Sequence, residues 1–105
     1  MFRVVLVAIS LAIFPAAGAL AAGKTHAVRI EGMKFTPERL EVAAGDTVVW
    51  TNGDFLPHSV TASAARVESG DLPPNRSWRF VARNKGEMPY ICRLHPVMKG
   101  VLVVK

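Results

Sequence analysis

One run of seven residues, Cys92-Arg93-Leu94-His95-Pro96-Val97-Met98, sets a thiol, an imidazole and a thioether three positions apart on one short loop. A second imidazole, His58, stands far upstream and reaches this group only in a fold that brings a distant loop alongside. The chain must therefore place two separate loops at one end of a rigid scaffold. A strand ending at Cys92 and a tight loop after it fix three of the side chains locally, and the group closes only on folding.

The rest of the chain supplies a scaffold of that kind. His26 to Ile30 alternates with Val28 and Ile30 on one face, and Arg39 to Val42 does the same with Leu40 and Val42. Ala44-Gly45-Asp46 reads as a turn before Thr47 to Thr51, which is rich in β-branched and aromatic residues. His58 to Thr61, Ser77 to Val81, Glu87 to Cys92 and Val101 to Val104 complete the set. Period-two patterning punctuated by Gly and Pro predicts an all-β sandwich of about seven to eight short strands. No segment keeps a helical period over three turns, and Ala62 to Glu68 has room for one helical turn only. Alternation places Val28, Ile30, Leu40, Val42, Val48, Trp50, Val60, Trp78, Phe80, Tyr90 and Val103 in the core. A register slip would invert parts of that assignment.

At 105 residues the chain holds one domain. Met1-Phe2-Arg3 gives a positive start, Val4 to Phe14 is mostly apolar, and small residues follow through Ala22. This is the pattern of a secretory signal over residues 1–21, with an Ala-x-Ala site at Ala19-Leu20-Ala21 and cleavage near Ala21 or Ala22. The rival reading, a membrane anchor, needs about 20 apolar residues, which this run does not reach. The expected destination is the periplasm, with residues 22–105 as the mature, membrane-free domain. A domain of that size buries only about 60–65% of its unfolded surface and gains from a bound metal. Exported proteins of this size usually rely on disulfides. Here Cys92 is the only cysteine, so no bridge forms within the chain and metal ligation accounts for the unpaired thiol.

The formal charge is +5, with basic and acidic residues interspersed. That favours acidic partners. No dense Lys/Arg run with interleaved aromatics supports nucleic-acid binding.

Two imidazoles, a thiolate and a weak axial thioether form the donor set of a copper electron-transfer site. Thiolate and thioether favour Cu(I), while imidazoles serve either oxidation state. Zinc accepts Cys and His but gains little from a thioether. A Cys–His hydrolase would need an orienting third group and an oxyanion hole, and neither is evident. Taken singly, Cys92 is a small core hydrophobe, each histidine a structural or exposed residue, and Met98 a core filler. Their order and spacing favour copper. His26, the third histidine, begins a strand and reads as solvated; with three histidines in all, no second His-rich copper centre can be built.

The residues Met33-Lys34-Phe35-Thr36-Pro37-Glu38, the Gly45-Asp46 turn with its strand to Asn52, Pro57-His58-Ser59-Val60 and the Cys-x-x-His-x-x-Met loop continuing through Lys99-Gly100 together resemble the cupredoxins, and the amicyanin-like members in particular. The likeness spans essentially the whole mature domain. It implies a cupredoxin Greek-key β-sandwich holding one type 1 copper ion on His58, Cys92, His95 and Met98. It also implies a monomeric, non-enzymatic carrier of single electrons between transient redox partners, such as a periplasmic dehydrogenase as donor and a c-type cytochrome as acceptor. Position 59 is usually Asn in that family and ties the two ligand loops; Ser59 is shorter. Met88-Pro89 stands where an aromatic residue is usual, and Pro89 suggests an edge or bulge. Arg93-Leu94 adds charge beside the metal, and Arg93 with Lys99 is expected to steer an acidic partner.

By the resemblance, electrons pass at His95 through an apolar surface of Pro96, Val97, Phe55, Leu56 and Pro57; the competing reading of Phe55 to Pro57 is a buried loop plug. Two further readings of the function stand beside the carrier: a copper-binding or delivery protein without a dedicated redox role, and an accessory domain of a larger enzyme. Cys92 argues against the first, since exported delivery proteins favour sites without a thiolate.

Overall fold

The computed structural model describes residues 3–5, 7–9 and 23–105. The signal expected over residues 1–21 lies largely outside the described residues, and its cleavage point wholly so. Among the described residues no helix is long and apolar enough to cross a membrane.

Nine strands form among the described residues: β1 (Thr25–Ile30), β2 (Phe35–Thr36), β3 (Arg39–Val42), β4 (Thr47–Asn52), β5 (Thr61–Ala62), β6 (Val67–Glu68), β7 (Ser77–Val81), β8 (Gly86–Ile91) and β9 (Lys99–Val104). They build two sheets, ordered β2-β1-β4-β7 and β3-β9-β8-β5-β6, which sandwich one core. The excess over the expected seven or eight comes from two-residue strands, too short to leave an alternation in the sequence. The turn-length helix expected after Ala62 is a single 3₁₀ turn over Ser63–Ala65.

β1 pairs in parallel with β4, Val28 beside Trp50, and β3 pairs in parallel with β9, Leu40 beside Leu102. The hairpin pair β8–β9 then sets the phase of the second sheet by placing Gly100 opposite Tyr90. Gly100 has no side chain, and the Tyr90 ring lies where its Cβ would be. Trp50 is fully buried and packs at 5.5 Å from both Trp78 and Tyr90, while Phe35 meets Tyr90 edge-on at 4.8 Å. Burial pushes the Tyr90 hydroxyl up to about 12, so it stays protonated at physiological pH.

One expected core residue is corrected. Val103 is half-exposed, and Leu102 and Val104 face the core instead. All four residues from Val101 to Val104 are aliphatic, so alternation carries no phase there; pairing with Leu40, Val42 and Tyr90 decides it. Phe35, Ala62, Leu72, Ala82, Met88, Cys92 and Met98 join the core besides those expected. Pro89 does sit beside an unpaired flank, because β5 meets β8 only at Ile91 and leaves that side of Pro89 without a strand.

Candidate metal centre

The loop between β8 and β9 is two tight turns in succession. His95 N–H donates to the Cys92 carbonyl at 3.2 Å, and Met98 N–H donates to the His95 carbonyl at 2.9 Å. Each turn returns the chain by three residues, which is why a spacing of three stacks these side chains at one place. The Cys92 N–H then donates to the Met98 carbonyl at 3.1 Å, closing the loop and extending the β8–β9 ladder. Cys92 is fully buried, Met98 almost so, and His95 half-exposed.

His58 comes from the long connection after β4. Asn52, buried at the end of β4, donates from its amide to the Leu56 carbonyl at 2.8 Å and the Leu72 carbonyl at 2.9 Å, folding that connection back over the end of the sandwich. His58 exchanges backbone hydrogen bonds with Leu72, at 3.1 and 2.7 Å. Its ring is thereby buried completely. Next to it, the Ser59 N–H donates to Cys92 Sγ at 3.4 Å. Ser59 Oγ accepts the Arg93 N–H at 2.8 Å and bonds Thr61 Oγ1 at 2.9 Å. The shorter side chain therefore still joins the two loops, with Thr61 as its second partner.

The result is a cluster of three donors. Cys92 Sγ lies 3.7 Å from His58 Nδ1 and 3.8 Å from His95 Nδ1, and all three atoms fall within 4.8 Å of one another. The two rings meet at 63° with centroids 5.1 Å apart. Donors bound at roughly 2.0 Å for nitrogen and 2.3 Å for sulfur, about 120° apart at a common centre, are separated by about 3.7 Å. The two sulfur–nitrogen spacings match that value, and with the third spacing within 4.8 Å the three side chains can converge on one metal ion. That arrangement, with a thioether held on the same loop, suits copper better than the closed tetrahedron of structural zinc.

A fifth side chain at the site escaped the sequence reading. Asp54 Oδ2 is 2.8 Å from His58 Nε2, on the side of the ring away from Cys92. Its oxygens also accept the Gly32 N–H at 2.8 Å and the Met33 N–H at 3.0 Å. Burial raises its proton affinity, but the Met33 and Gly32 amides and the His58 ring outweigh that and hold the carboxyl below its usual range. The available signal was chemical: a metal-bound histidine generally donates its other ring N–H to a carboxylate or carbonyl.

Two expectations about charge are corrected. Arg93 is not a free cation, because its guanidinium pairs with Asp71 and lies 3.5 Å from Glu68. Asp71 chiefly, with Glu68, strengthens its hold on the proton. His26 is not simply solvated: its Nε2 meets the buried Asp46 carboxylate at 2.9 Å at the other end of the strand from the metal loops. Phe55 and Val97 are 97% and 87% exposed, and Leu56 and Leu94 are exposed as well. The residues from Phe55 to Pro57 form an outward surface and not a plug.

Comparison with known proteins places this site in a family. The family model described as a cupredoxin-like domain matches residues 3–104, and the chain belongs to the cupredoxin-like family. Amicyanin-alpha of Methylorubrum extorquens is 36% identical over an alignment of 118 residues that covers 98% of this chain and 99% of the relative. Amicyanin of Paracoccus versutus is 29% identical, covering 87% of this chain and 73% of that protein. Among solved structures, a Cu(I) form of an amicyanin variant superposes with a TM-score of 0.74 at 28% identity, over 77% of this chain and 82% of that one. A copper-containing nitrite reductase from Thermus scotoductus gives a TM-score of 0.72 at 26% identity, and the match spans only 22% of that longer chain. The cofactor common to this family and this donor set is one type 1 copper ion.

Proposed function

We propose that this protein is a periplasmic blue-copper electron carrier whose metal is held by His58, Cys92, His95 and Met98. The observation that carries the reading is the gathering of His58 Nδ1, Cys92 Sγ and His95 Nδ1 within 4.8 Å, with Met98 buried on the same loop. Copper supplies a one-electron Cu(I)/Cu(II) couple at such a site. The chain's own residues do the rest. Asn52, the His58–Leu72 bridge and the two turns after Cys92 hold the donors in one place, so a change of oxidation state demands little movement. The Ser59 N–H directed at Cys92 Sγ stabilises a thiolate. Met98 would hold the metal through its thioether, a weak donor that would tune the potential.

His95 is the half-exposed member of the set, and Leu94, Val97, Phe55 and Leu56 expose apolar surface on the two ligand loops. A small apolar surface suits a brief encounter with a redox partner, since such complexes use small interfaces. With Arg93 engaged by Asp71 and Glu68, Lys99 remains as the cation of the ligand loop's end, so long-range steering is weak. The donor reading is a periplasmic dehydrogenase and the acceptor reading a c-type cytochrome, by likeness to amicyanins, with the chain acting as a monomer. Residues 1–21 serve as the export signal and residues 22–105 as the copper domain. The proposed role is carriage: only His26 remains outside the site, bound to Asp46, so no histidines are left for a second, His-rich copper centre.

Cyclic voltammetry on the cleaved, copper-loaded protein tests this reading. A reversible one-electron wave with copper retained over repeated cycles is expected. Release of copper on reduction would favour the delivery reading and overturn the carrier.

A further inference from the structure

We propose that the cavity between β7 and β8, at the end of the sandwich away from the ligand loops, binds a small amphipathic anion: one short apolar chain or ring with a single anionic head, held beneath Arg83 and Lys85.

The cavity follows from how the two sheets end. β8 enters at Gly86 and leaves at Ile91 beside Cys92, so its first residues lie farthest from the metal loops. β9 covers one flank of β8 along its whole length, but β5 meets the other flank only at Ile91. Among the described residues no strand therefore lies along that other flank from Gly86 to Pro89. In the facing sheet β7 is the last strand and pairs with β4 alone. Between these two uncovered flanks a cavity of about 340 Å³ remains. Its walls include Val67, Phe80, Met88 and Val104. Met88 and Val104 belong to the buried core, while Val67 and Phe80 are only half-buried against it. The Phe80 ring is backed by Trp78, stacked at 5.7 Å and 22°. Ligand sites run from roughly 300 to 1,000 Å³. A volume near the low end takes one short chain or one ring, and no folded partner.

The rim sets the sign of the head group. Arg76, Arg79, Arg83 and Lys85 fall in a stretch that holds no acid. Of these, Arg83 and Lys85 line the cavity, with Asn84 between them, and all three are exposed. Among the described residues Arg29, Arg39, Arg93 and Lys105 each have a carboxylate partner, whereas Arg83 and Lys85 have none. Glu87, the one acid on the lining, has its carboxylate 3.6 Å from the Arg39 guanidinium. An anionic head finds a guanidinium fork and an ammonium at the mouth, while its apolar body leaves water against Phe80 and Val67. A cationic head would meet like charge there.

Octanoate is the probe, titrated into the isotope-labelled, cleaved protein with and without copper, so the result stands apart from whether the metal binds. Saturable one-to-one binding is expected in both states, with NMR shift changes at the Val67, Met88 and Val104 methyl groups and the Phe80 ring. Octanol and octyltrimethylammonium should bind about tenfold more weakly or worse. Arg83→Gln combined with Lys85→Gln, both exposed, should weaken octanoate by a similar factor and leave Tm unchanged. Ala65→Trp, placed on the exposed 3₁₀ turn that lines the cavity, should abolish binding with both cations in place. Absence of saturation by octanoate, equal binding of octyltrimethylammonium, shifts confined to Phe55 and Val97, or binding that survives both variants would overturn the proposal. Adsorption to phosphatidylglycerol vesicles without octanoate uptake would assign the basic stretch to a membrane surface and overturn it too.

Discussion

Asp46 is nearly buried and accepts from the Ala43 and Lys24 amides as well as meeting the His26 ring. The His26 ring first, then the Ala43 amide, hold its carboxyl below the usual range against the opposing effect of burial. A folded value depressed below the unfolded one, about 3.9, gives stability that is present above that pH and lost as pH falls through the folded value. Asp46→Asn should therefore lower Tm at neutral pH, with the gap from wild type closing below about pH 4. A gap that stays constant into acid would contradict this role. At this scale the gathering of His58, Cys92 and His95, with Met98 buried on the same loop, was legible because thiolate, imidazole and thioether side chains have few other reasons to share one spacing. Asp54 was not legible, since an aspartate in a polar loop looks like any turn residue until Gly32 and Met33 are brought to it. The tie between Arg93 and Asp71 was hidden for the same reason: it joins residues 22 positions apart.

The element that presents the ligands, the β8–β9 hairpin, depends on the seating of Tyr90 over Gly100. Gly100→Ala would set a methyl group inside the space of the Tyr90 ring. Overpacking of this kind costs on the order of 1–3 kcal/mol, so the urea midpoint should fall while the m-value is retained. A variant as stable as wild type would show that the hairpin does not rely on this contact. Strands with true alternation, such as Thr25–Ile30 and Thr47–Asn52, were readable because polar residues mark their outer face. Lys99–Val104 was not, because its aliphatic run has no polar residue to fix the phase after Gly100. Two-residue strands such as Thr61–Ala62 arise from pairing across the sheet and leave no local pattern.

For the whole molecule, the sandwich converts two separated loops into one buried cluster of donor side chains that reaches the surface at His95. Val97 is exposed and bears no part of the core, so Val97→Glu should leave the copper spectrum and Tm unchanged. Electron self-exchange between Cu(I) and Cu(II) molecules, read by NMR line broadening, should slow at least tenfold at low salt. Like-charge repulsion of about 1.4 kcal/mol is enough for that factor. An unchanged rate would move the docking surface elsewhere. The central claim, that His58, Cys92, His95 and Met98 form one blue-copper site, is tested most directly by the visible absorption spectrum of the cleaved protein after adding one equivalent of Cu(II). An intense blue colour that bleaches reversibly on reduction and is abolished by Cys92→Ala is the expected result. A colourless Cu(II) complex, or a colour that survives Cys92→Ala, would contradict it.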